Sequence, residues 1–496
     1  MQVVHSRFNA LLSACVLSLI ATAGWSQSLT WLGTLPGGRY SEPYGVSANA
    51  VVVGWVFTVV EQSRAFRWTA SGGMQDLGTL GGDESAAWGV SADGAVVVGV
   101  AENAARQGRA FRWENGVMQA LGTLPGGVGS AAYGVSADGA VVVGVAYNAA
   151  RQGRAFRWQN GVMQNLGTLG GSWSWAHAVS ADGAVVVGVA ENAVGSYRAF
   201  RWTAASGRMQ DLDTLGGSFS YAYGVSADGS VVVGWAENAA GQRRAFRWEN
   251  GVMQGLGTLG GNQSSLVGVS ADGAVAVGGA ENAAGPWRAV RWENGVMQDL
   301  GTLGGCCSAA YSVSADGAVV VGVAFNAAGQ YLAFRWENGV MQGLGTLGGD
   351  ESWAHGASAD GTVVVGGADN AAGQRRAFRW TASGGMEDLN ITYACLLTNG
   401  SVLLGASDIS PDGRYIVGGG YNAATDRIEA FLLDTRCTAH NGDVDCNGCV
   451  DDADLLAVLF AFGSTGSNLG RVDVNCDGVV DDADLLIVLF NFGGGC

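Results

Sequence analysis

The chain has 496 residues and a formal net charge of −17 at pH 7. All of its positive charge is arginine, since no lysine occurs. A chain this acidic has no basic face to offer a phosphate backbone, so we expect no nucleic-acid partner. Its length suits several domains of about 150 residues, and its 82 glycines and five prolines suit many short strands joined by tight turns.

The N-terminal segment has the pattern of an export signal. Arg7 precedes an apolar run at residues 10–23 that closes on Ala21-Thr22-Ala23, small residues at the spacing that signal peptidase reads. We therefore predict a signal peptide at residues 1–23 and a secreted or cell-surface protein. The alternative is lipidation at Cys15, although most of the apolar run follows that residue instead of preceding it. No second apolar run of spanning length follows, so we expect no membrane span in the mature chain.

Cleavage at this site removes Cys15 and leaves an even number of cysteines. An even number in an exported chain favours disulfides, and the pairing stays open. The remaining cysteines are Cys306, Cys307, Cys395, Cys437, Cys446, Cys449, Cys476 and Cys496.

A repeat of about 44 residues dominates residues 24–436. An Arg-Trp pair recurs with Trp at positions 68, 113, 158, 202, 248, 292, 336 and 380. A Ser-Ala-Asp-Gly turn keeps the same spacing, with Asp at positions 93, 138, 182, 228, 272, 316 and 360 and a diverged copy at Asp412. A period of this length is typical of a solenoid or a propeller.

One unit contains four short strands. Residues 88–91 lead into the Asp93-Gly94 turn, and residues 95–101 form a β-branched run suited to a strand covered on both faces. Residues 109–113 alternate in polarity, and residues 117–124 supply the fourth strand. Four strands in a unit of this size predict one propeller blade.

The ends of the array predict closure of the ring. Residues 29–35 match a fourth strand that has no first three strands before it, and residues 406–433 supply three strands without a fourth. Pairing them completes a ninth blade and removes exposed strand edges. We predict a closed β-propeller of eight or nine four-stranded blades. The alternatives are eight blades with a stray unit, and an open β-solenoid.

The units resemble the extracellular HAF repeat family, over residues ~29–433. The shared elements are Gly134-Val135-Ser136, Asp138-Gly139, Val142-Val143-Gly144, Ala155-Phe156 and Leu166-Gly167-Thr168-Leu169. The resemblance implies export and names no activity. The family's signature histidine is Arg154 in this unit, which removes any imidazole chemistry from that position.

Candidate catalytic groups in the repeats have simpler structural explanations. His177 and His355 occupy a repeat position that is aromatic in other units, and each periodic Asp serves a turn. The arginines of the Arg-Trp pairs suggest either a ring for an anion or acidic sugar, or side chains that cover apolar surface and meet nearby carboxylates. They are Arg67, Arg112, Arg157, Arg201, Arg247, Arg291, Arg335 and Arg379. We assign no catalytic residue.

Residues 437–496 carry ten Asp, one Arg and two similar segments thirty residues apart. Oxygen side chains fall at positions 1, 3, 5, 9 and 12 of each, which is the arrangement of an EF-hand calcium loop, where position 7 adds a carbonyl. We predict two calcium ions. The ligands of one are Asp443, Asp445, Asn447, Cys449, Asp451 and Asp454; those of the other are Asp473, Asn475, Asp477, Val479, Asp481 and Asp484.

Each loop leads into a short apolar helix, at residues 455–462 and 485–492. The module resembles a type I dockerin, which implies a small α-helical domain that docks secreted proteins onto cohesin receptors. Positions 10 and 11 are Asp452-Ala453 and Asp482-Ala483 in place of the family's frequent Ser/Thr pairs, so we expect a cohesin-like or other envelope protein as partner. The resulting hypothesis is a non-enzymatic exported propeller with a docking module. The alternative is a secreted carbohydrate-active protein, which binds polysaccharide or hydrolyses O-glycosyl bonds.

Overall fold

The structure is a computed structural model that describes residues 28–397, 399–436, 441–445, 449–465 and 469–495. It divides into two compact units, one comprising Leu29–Thr435 and the other including Arg436–Cys496. The predicted signal peptide at residues 1–23 and the predicted calcium ligand Asn447 lie outside the described residues.

The larger unit is a nine-bladed β-propeller in which every blade is a four-stranded antiparallel sheet. Blades 1 to 3 are β2 Gly38–Val46, β3 Val52–Thr58, β4 Ser63–Thr69, β5 Gly73–Asp76; β6 Gly81–Val90, β7 Val97–Asn103, β8 Gly108–Glu114, β9 Val117–Gly122; and β10 Ser130–Val135, β11 Val141–Tyr147, β12 Gly153–Gln159, β13 Val162–Asn165. Blades 4 to 6 are β14 Gly170–Val179, β15 Val185–Asn192, β16 Tyr197–Thr203, β17 Met209–Asp211; β18 Gly216–Val225, β19 Val231–Asn238, β20 Arg243–Glu249, β21 Val252–Gly255; and β22 Gly260–Val269, β23 Val275–Asn282, β24 Trp287–Glu293, β25 Val296–Asp299. Blades 7 and 8 are β26 Gly304–Val313, β27 Val319–Asn326, β28 Tyr331–Glu337, β29 Val340–Gly345; and β30 Gly348–Ala357, β31 Val363–Asn370, β32 Arg375–Thr381, β33 Gly385–Asp388.

Blade 9 joins the two ends of the repeat array. Its strands are β34 Val402–Ile409, β35 Tyr415–Asn422, β36 Arg427–Asp434 and β1 Ser28–Gly33, in the sheet order β1-β36-β35-β34. The predicted closure is therefore confirmed, and the ring has nine blades. The prediction placed the start of β34 four residues too late because the unit before it ends in α1 (Leu389–Thr392) and a 3-10 turn (Ala394–Leu396) instead of leading directly into the next strand.

The first strands of neighbouring blades pack side by side all round the ring, so they form the wall of the central channel. In blade 2 this strand begins at Gly81 instead of the predicted residue 88, because the Gly81-Gly82 pair continues the strand. Its pairing with the second strand shifts between Ala87 and Gly89, which leaves Trp88 as a bulge. The same shift recurs in every other blade.

The apolar core lies between blades. One cluster joins Val143 and Ala155 of blade 3 to Val186, Phe200 and Trp202 of blade 4. The Val-Val-Gly motif follows from this packing: its valines are buried on both faces of the second strand. A Cβ at Gly188 would overlap the carbonyl of Trp175 on the bulged first strand, so only glycine fits there.

A buried serine links each of blades 1 to 8 to the blade before it, whereas blade 9 has Leu404 at this position. The Ser174 hydroxyl of blade 4 accepts a hydrogen bond from Ala155 N of blade 3 at 2.8 Å and donates to Gly167 O at 2.6 Å. At the closing interface Ser41 does the same, accepting from Ala430 N at 2.8 Å and donating to Gly33 O at 2.7 Å. Because both polar groups of the hydroxyl are satisfied, it is buried at little cost.

The described part of the smaller unit contains two helices, α2 (Asp452–Ala461) and α3 (Asp482–Phe490), and a 3-10 turn at Gly470–Val472. Both helices begin with a capping box, formed by Asp451 with Asp454 and by Asp481 with Asp484. A small core of five valines lies beneath them, namely Val450, Val458, Val474, Val480 and Val488. Within the described residues, no helix is long and apolar enough to cross a bilayer.

Candidate functional site

The bulge in each first strand presents one side chain at the channel wall. Trp88 and Tyr133 of adjacent blades stack with ring centroids 5.5 Å apart, and His177 stacks on Tyr223 at 5.7 Å. Around the ring, the bulge residues are Tyr44, Trp88, Tyr133, His177, Tyr223, Val267, Tyr311, His355 and Ser407. The channel wall is therefore mostly aromatic.

The two histidines of this ring have structural hydrogen bonds. The Nδ1 atoms of His177 and His355 lie 2.8 Å from the carbonyl oxygens of Ala222 and Ala406 in the next blade. Because a carbonyl only accepts, Nδ1 carries the proton in both rings. Burial lowers the pKa of His177, so its imidazole is neutral at pH 7. These contacts agree with the prediction that both histidines replace an aromatic residue of the repeat.

Aromatic rings of blades 3, 4 and 5 line an open groove of about 490 Å³, here called the aromatic groove. It is lined by Tyr133, Trp175, His177, Val189, Tyr197 and Tyr221. Tyr197 begins the third strand of blade 4, next to the loop that joins the second and third strands. The groove therefore lies toward the end of the propeller opposite the Ser-Ala-Asp-Gly turns.

The rings of the groove continue into a larger aromatic cluster. Trp173 stacks on Trp175 at 5.5 Å with an interplanar angle of 9°, and Tyr221 stacks on Trp235 at 4.6 Å. The Trp235 indole donates a hydrogen bond of 3.2 Å to the Tyr223 hydroxyl. Rings held in this way present rigid surfaces, which lose little side-chain entropy when they bind a ligand. The sequence-based reasoning missed this site because its residues belong to different repeats.

A second cavity, of about 610 Å³, lies beside the interface of blades 9 and 1 and has a partly charged lining. Its charged lining residues are Arg39, Glu42, Asp426 and Arg427. Two of them have partners: Asp426 accepts a 2.8 Å hydrogen bond from the Tyr421 hydroxyl, and Arg427 donates to Thr34 Oγ1 at 3.0 Å.

The periodic aspartates organise the turns. Asp93 accepts hydrogen bonds from the Ser91 hydroxyl at 2.6 Å and from Ala95 N at 3.0 Å. These bonds lower the pKa of the Asp93 carboxyl, and the equivalent Ser136 bond does so for Asp138. A carboxyl that stays ionised in this way cannot serve as a general acid near neutral pH.

The arginines of the Arg-Trp pairs join neighbouring blades. The Arg291 guanidinium lies 5.5 Å from the ring centroid of Trp336 in the next blade, donates to Gly317 O at 3.1 Å and pairs with Glu293 at 2.7 Å. Six other arginines stack on the next blade's Trp in the same way: Arg67, Arg112, Arg157, Arg201, Arg247 and Arg335. The second of the two interpretations, in which they cover apolar surface and meet carboxylates, fits these contacts.

Four of the described cysteines, two in each unit, take part in disulfides. Cys306 and Cys307, adjacent in the first strand of blade 7, form a disulfide with each other. Cys449 and Cys476 in the acidic loops are disulfide-bonded as well.

In the first acidic loop, three predicted ligands converge. One carboxylate oxygen each from Asp443, Asp445 and Asp454 lie within 4.8 Å of one another. The buried Asp454 accepts hydrogen bonds from Val444 N at 2.6 Å and from Asp451 N at 2.8 Å, which fixes its orientation. Two other predicted ligands of this loop, Cys449 and Asp451, do not belong to this cluster.

In the second acidic loop, the predicted ligands are held mainly by main-chain hydrogen bonds. Asp473 accepts from Asp477 N at 3.2 Å and Gly478 N at 3.0 Å, while Asp484 accepts from Asn475 N at 3.0 Å. Asp481 caps α3 by accepting from Ala483 N at 2.8 Å, and Val479 forms a β-bridge with Thr465. Within the described residues, this loop brings no three such groups together as closely as the first does.

Comparisons with known proteins give structural likenesses only. No protein-family model and no curated protein sequence matches the chain. Among solved structures, it is similar to the Porphyromonas gingivalis dipeptidyl peptidase 4 (10% identity, 78% of this chain and 63% of that one, TM-score 0.48). It is also similar to the propeller domain of the Trilobed protease from Pyrococcus furiosus (12% identity, 71% and 98%, TM-score 0.38) and to TolB from Acinetobacter baumannii (13% identity, 60% and 65%, TM-score 0.30). At these TM-scores, no argument about function rests on the likenesses.

Proposed function

We propose that this chain is an exported, non-enzymatic binding protein whose propeller presents a ligand surface and whose C-terminal unit is a calcium-stabilised docking module. In this proposal the repeats are HAF repeats and the C-terminal unit is dockerin-like. The module serves surface attachment or the assembly of a protein complex.

The observation that carries the docking proposal is the convergence of Asp443, Asp445 and Asp454. Calcium prefers several oxygen ligands, most of them carboxylates, from one short loop. Three carboxylates this close repel one another, and a bound divalent cation would offset that repulsion. In the repeated loop, Asp473 and Asp484 hold the same positions of the pattern, so we propose a second ion there.

The apolar surface of the two helices supports a protein partner. Phe460 and Phe490 are 87% and 84% exposed, and they occupy equivalent positions in α2 and α3. Exposed side chains of this size on two related helices are unusual on a free surface and are typical of an interface. A cohesin-like or other envelope protein is the partner we propose.

Calorimetry of the full chain with calcium tests this proposal. We expect uptake of two ions at millimolar calcium, because extracellular calcium modules bind at about 10⁻⁴ to 10⁻³ M. Asp454→Ala should remove one site and Asp484→Ala the other. Asp445→Ala tests the first site without touching a helix cap.

Asp452→Ala is the matched control, since this exposed residue carries the same charge at a loop position that offers no ligand. It should keep both sites. Absence of calcium uptake by the unmodified chain, or equal uptake by every variant, would contradict the calcium proposal.

The second candidate function is that of a secreted carbohydrate-active protein, and the aromatic groove favours it. Incubating the protein with plant and microbial polysaccharides, with both retention and released reducing sugar measured, separates the two functions. Retention without hydrolysis agrees with a binding role, whereas released sugar would establish an enzyme.

A further inference from the structure

The aromatic groove is not explained by the needs of the fold. At the position of Trp175, three other blades carry alanine, namely Ala86, Ala131 and Ala309. Each of these alanines pairs with a valine of the second strand in the same register that Trp175 keeps with Val189. These three blades act as internal controls, and they show that the blade forms without an indole here.

The fold does not require the aromatic side chain of Tyr197, which lines another part of the groove, either. The position of Tyr197, at the start of the third strand, is Ser63 in blade 1 and Gly108 in blade 2. Neither position is aromatic in blades 1 to 3, whereas Trp353 holds the Trp175 position in blade 8, and Trp287 and Tyr331 hold the Tyr197 position in blades 6 and 7. Blade 4 carries an aromatic residue at both positions, which the fold does not require.

Several polar groups at the edges of these rings have no hydrogen-bond partner among the described residues. Among the described residues, the hydroxyls of Tyr133, Tyr197 and Tyr221 make no hydrogen bond within the protein. His177 donates through Nδ1, which leaves Nε2 as an acceptor at the groove. The lining thus alternates apolar ring faces with groups that donate and accept.

The groove also lacks formal charge. Its six lining residues are aromatic or aliphatic, and the imidazole of His177 is neutral at pH 7 because burial lowers its pKa. Arg243 lies nearby, but its guanidinium stacks on Trp235 at 4.5 Å from the ring centroid. An anionic ligand would find no opposite charge among the lining residues.

We propose that the aromatic groove binds an uncharged glycan, with sugar rings stacked on Trp175 and Tyr197 and hydroxyls bonded to the ring edges. A sugar ring has two faces of C–H groups and a perimeter of hydroxyls that both donate and accept. The C–H faces match the negative faces of aromatic rings, and the perimeter matches tyrosine hydroxyls and an imidazole. The groove volume of about 490 Å³ lies within the range of about 300 to 1,000 Å³ typical of small-ligand sites.

A proline-rich peptide is the other ligand that stacks in aromatic grooves. Its prolines offer carbonyl acceptors and no N–H donors. Such a ligand would leave His177 Nε2 and the acceptor side of the tyrosine hydroxyls unmatched, so the glycan fits better. This inference rests on the proposed binding role of the propeller.

The test is titration calorimetry of the full chain with cellohexaose, xylohexaose, mannohexaose and laminarihexaose, with hexagalacturonate and decaproline as comparison ligands. We expect binding of at least one neutral hexasaccharide, little change of affinity between low and high salt, and quenching of tryptophan fluorescence. Trp175→Ala and Tyr197→Ser should each weaken binding at least tenfold. Both variants copy residues that other blades carry, so their thermal melting should match that of the unmodified chain.

Trp353→Ala is the matched control. Trp353 holds the same repeat position in blade 8, but the Arg375 guanidinium covers its ring at 3.9 Å from the centroid. This variant should bind as the unmodified chain does. Binding of decaproline or hexagalacturonate alone, or affinity unchanged by both groove variants, would overturn the proposal.

Two further measurements distinguish glycan binding in the groove from the calcium-dependent docking and the non-enzymatic role proposed above. Chelation of calcium should leave glycan affinity unchanged, since the groove lies in the propeller. Chromatography of the ligand after incubation should return the intact hexasaccharide. Shortened products would refute the non-enzymatic role while leaving the glycan site in place.

Discussion

At the residue scale, the turns of blades 9 and 1 differ from the others, and in blade 1 the Asn49 side chain donates to Asp93 O at 2.6 Å. Main-chain hydrogen bonds link the Ser-Ala-Asp-Gly turns of successive blades, from Ala92 N to Ala137 O at 3.0 Å through Ala359 N to Pro411 O at 2.9 Å. Pro411 has no N–H, so it cannot donate the equivalent hydrogen bond to the turn of blade 1. Instead, the Asp408 carboxylate of blade 9 accepts a hydrogen bond of 3.3 Å from Val46 N of blade 1.

The pKa of Asp408 predicts how this seam responds to pH. Burial raises the pKa of Asp408 above the usual value of about 3.9, despite hydrogen bonds from Ile409 N and Val46 N that oppose the shift. Between the unfolded and the higher folded pKa, the folded chain holds more protons, so the free energy of unfolding falls as pH rises through that window. Asp408→Asn should therefore raise the thermal midpoint at pH 7 and have little effect at or below pH 4.

Asp93→Asn is a control of opposite sign. The Ser91 hydrogen bond lowers the pKa of Asp93, so its contribution is present above the unfolded pKa and is lost as pH falls through the folded value. This variant should lower the midpoint at pH 7 and lose its effect in acid. The same sign for both variants at pH 7 would show that burial of Asp408 is not the dominant influence.

At the element scale, β1 is the strand that closes the ring. It occupies the outer edge of blade 9. Leu32 within β1 and Leu35, two residues after its end, are buried in the cluster that joins blades 9 and 1. Without β1, the edge of β36 would be exposed, and an exposed edge invites pairing between chains.

Two truncations test the role of β1. A chain that starts at Ser28 should melt as the unmodified chain does, whereas one that starts at Gly37 loses β1 and both leucines. Burying a leucine contributes about 1.5 to 3 kcal/mol, so this loss should lower the free energy of unfolding by roughly 3 to 6 kcal/mol. Thermal melting and light scattering measure stability and aggregation. Equal melting of the two truncations would contradict closure by β1.

At the scale of the whole molecule, the proposed glycan binding and the proposed attachment involve different units, so substitutions should separate them. The double variant Leu456→Glu/Leu486→Glu changes residues that are 50% and 48% exposed on α2 and α3. It should abolish calcium-dependent capture of an envelope protein in a pull-down, while propeller melting and glycan titration stay unchanged.

The matched control places the same charges on exposed apolar residues of the propeller. Val194→Glu/Ile391→Glu changes side chains that are 83% and 76% exposed, and capture should persist. If the helix variant still captures the envelope protein, or if the helix variant and the control lose capture equally, the docking surface lies elsewhere.

The sequence by itself predicted the four-stranded blade and a closed ring, and it left the number of blades at eight or nine. About 44 consecutive residues contain the four strands of one unit. Their turn glycines, valine run and Arg-Trp pair recur in each unit because the same local contacts recur. Closure was also predictable, because the orphan strand at residues 29–35 matches the unit that lacks one. The blade depends on neighbours that are near in the chain or one repeat away, so a single period reveals it. Closure joins the two ends of the array, and the incomplete units at those ends reveal it.

The tertiary structure alone decided the bulge in the first strand, the serine bonds between blades and the aromatic groove. The bulge turns Trp88 and its equivalents to the channel wall, which the alternation of residues does not indicate. Tyr133, Trp175 and Tyr221 lie in three blades and at two repeat positions, and they meet because neighbouring first strands converge at the channel. Such convergence depends on the number and angle of the blades, which packing across the whole ring determines.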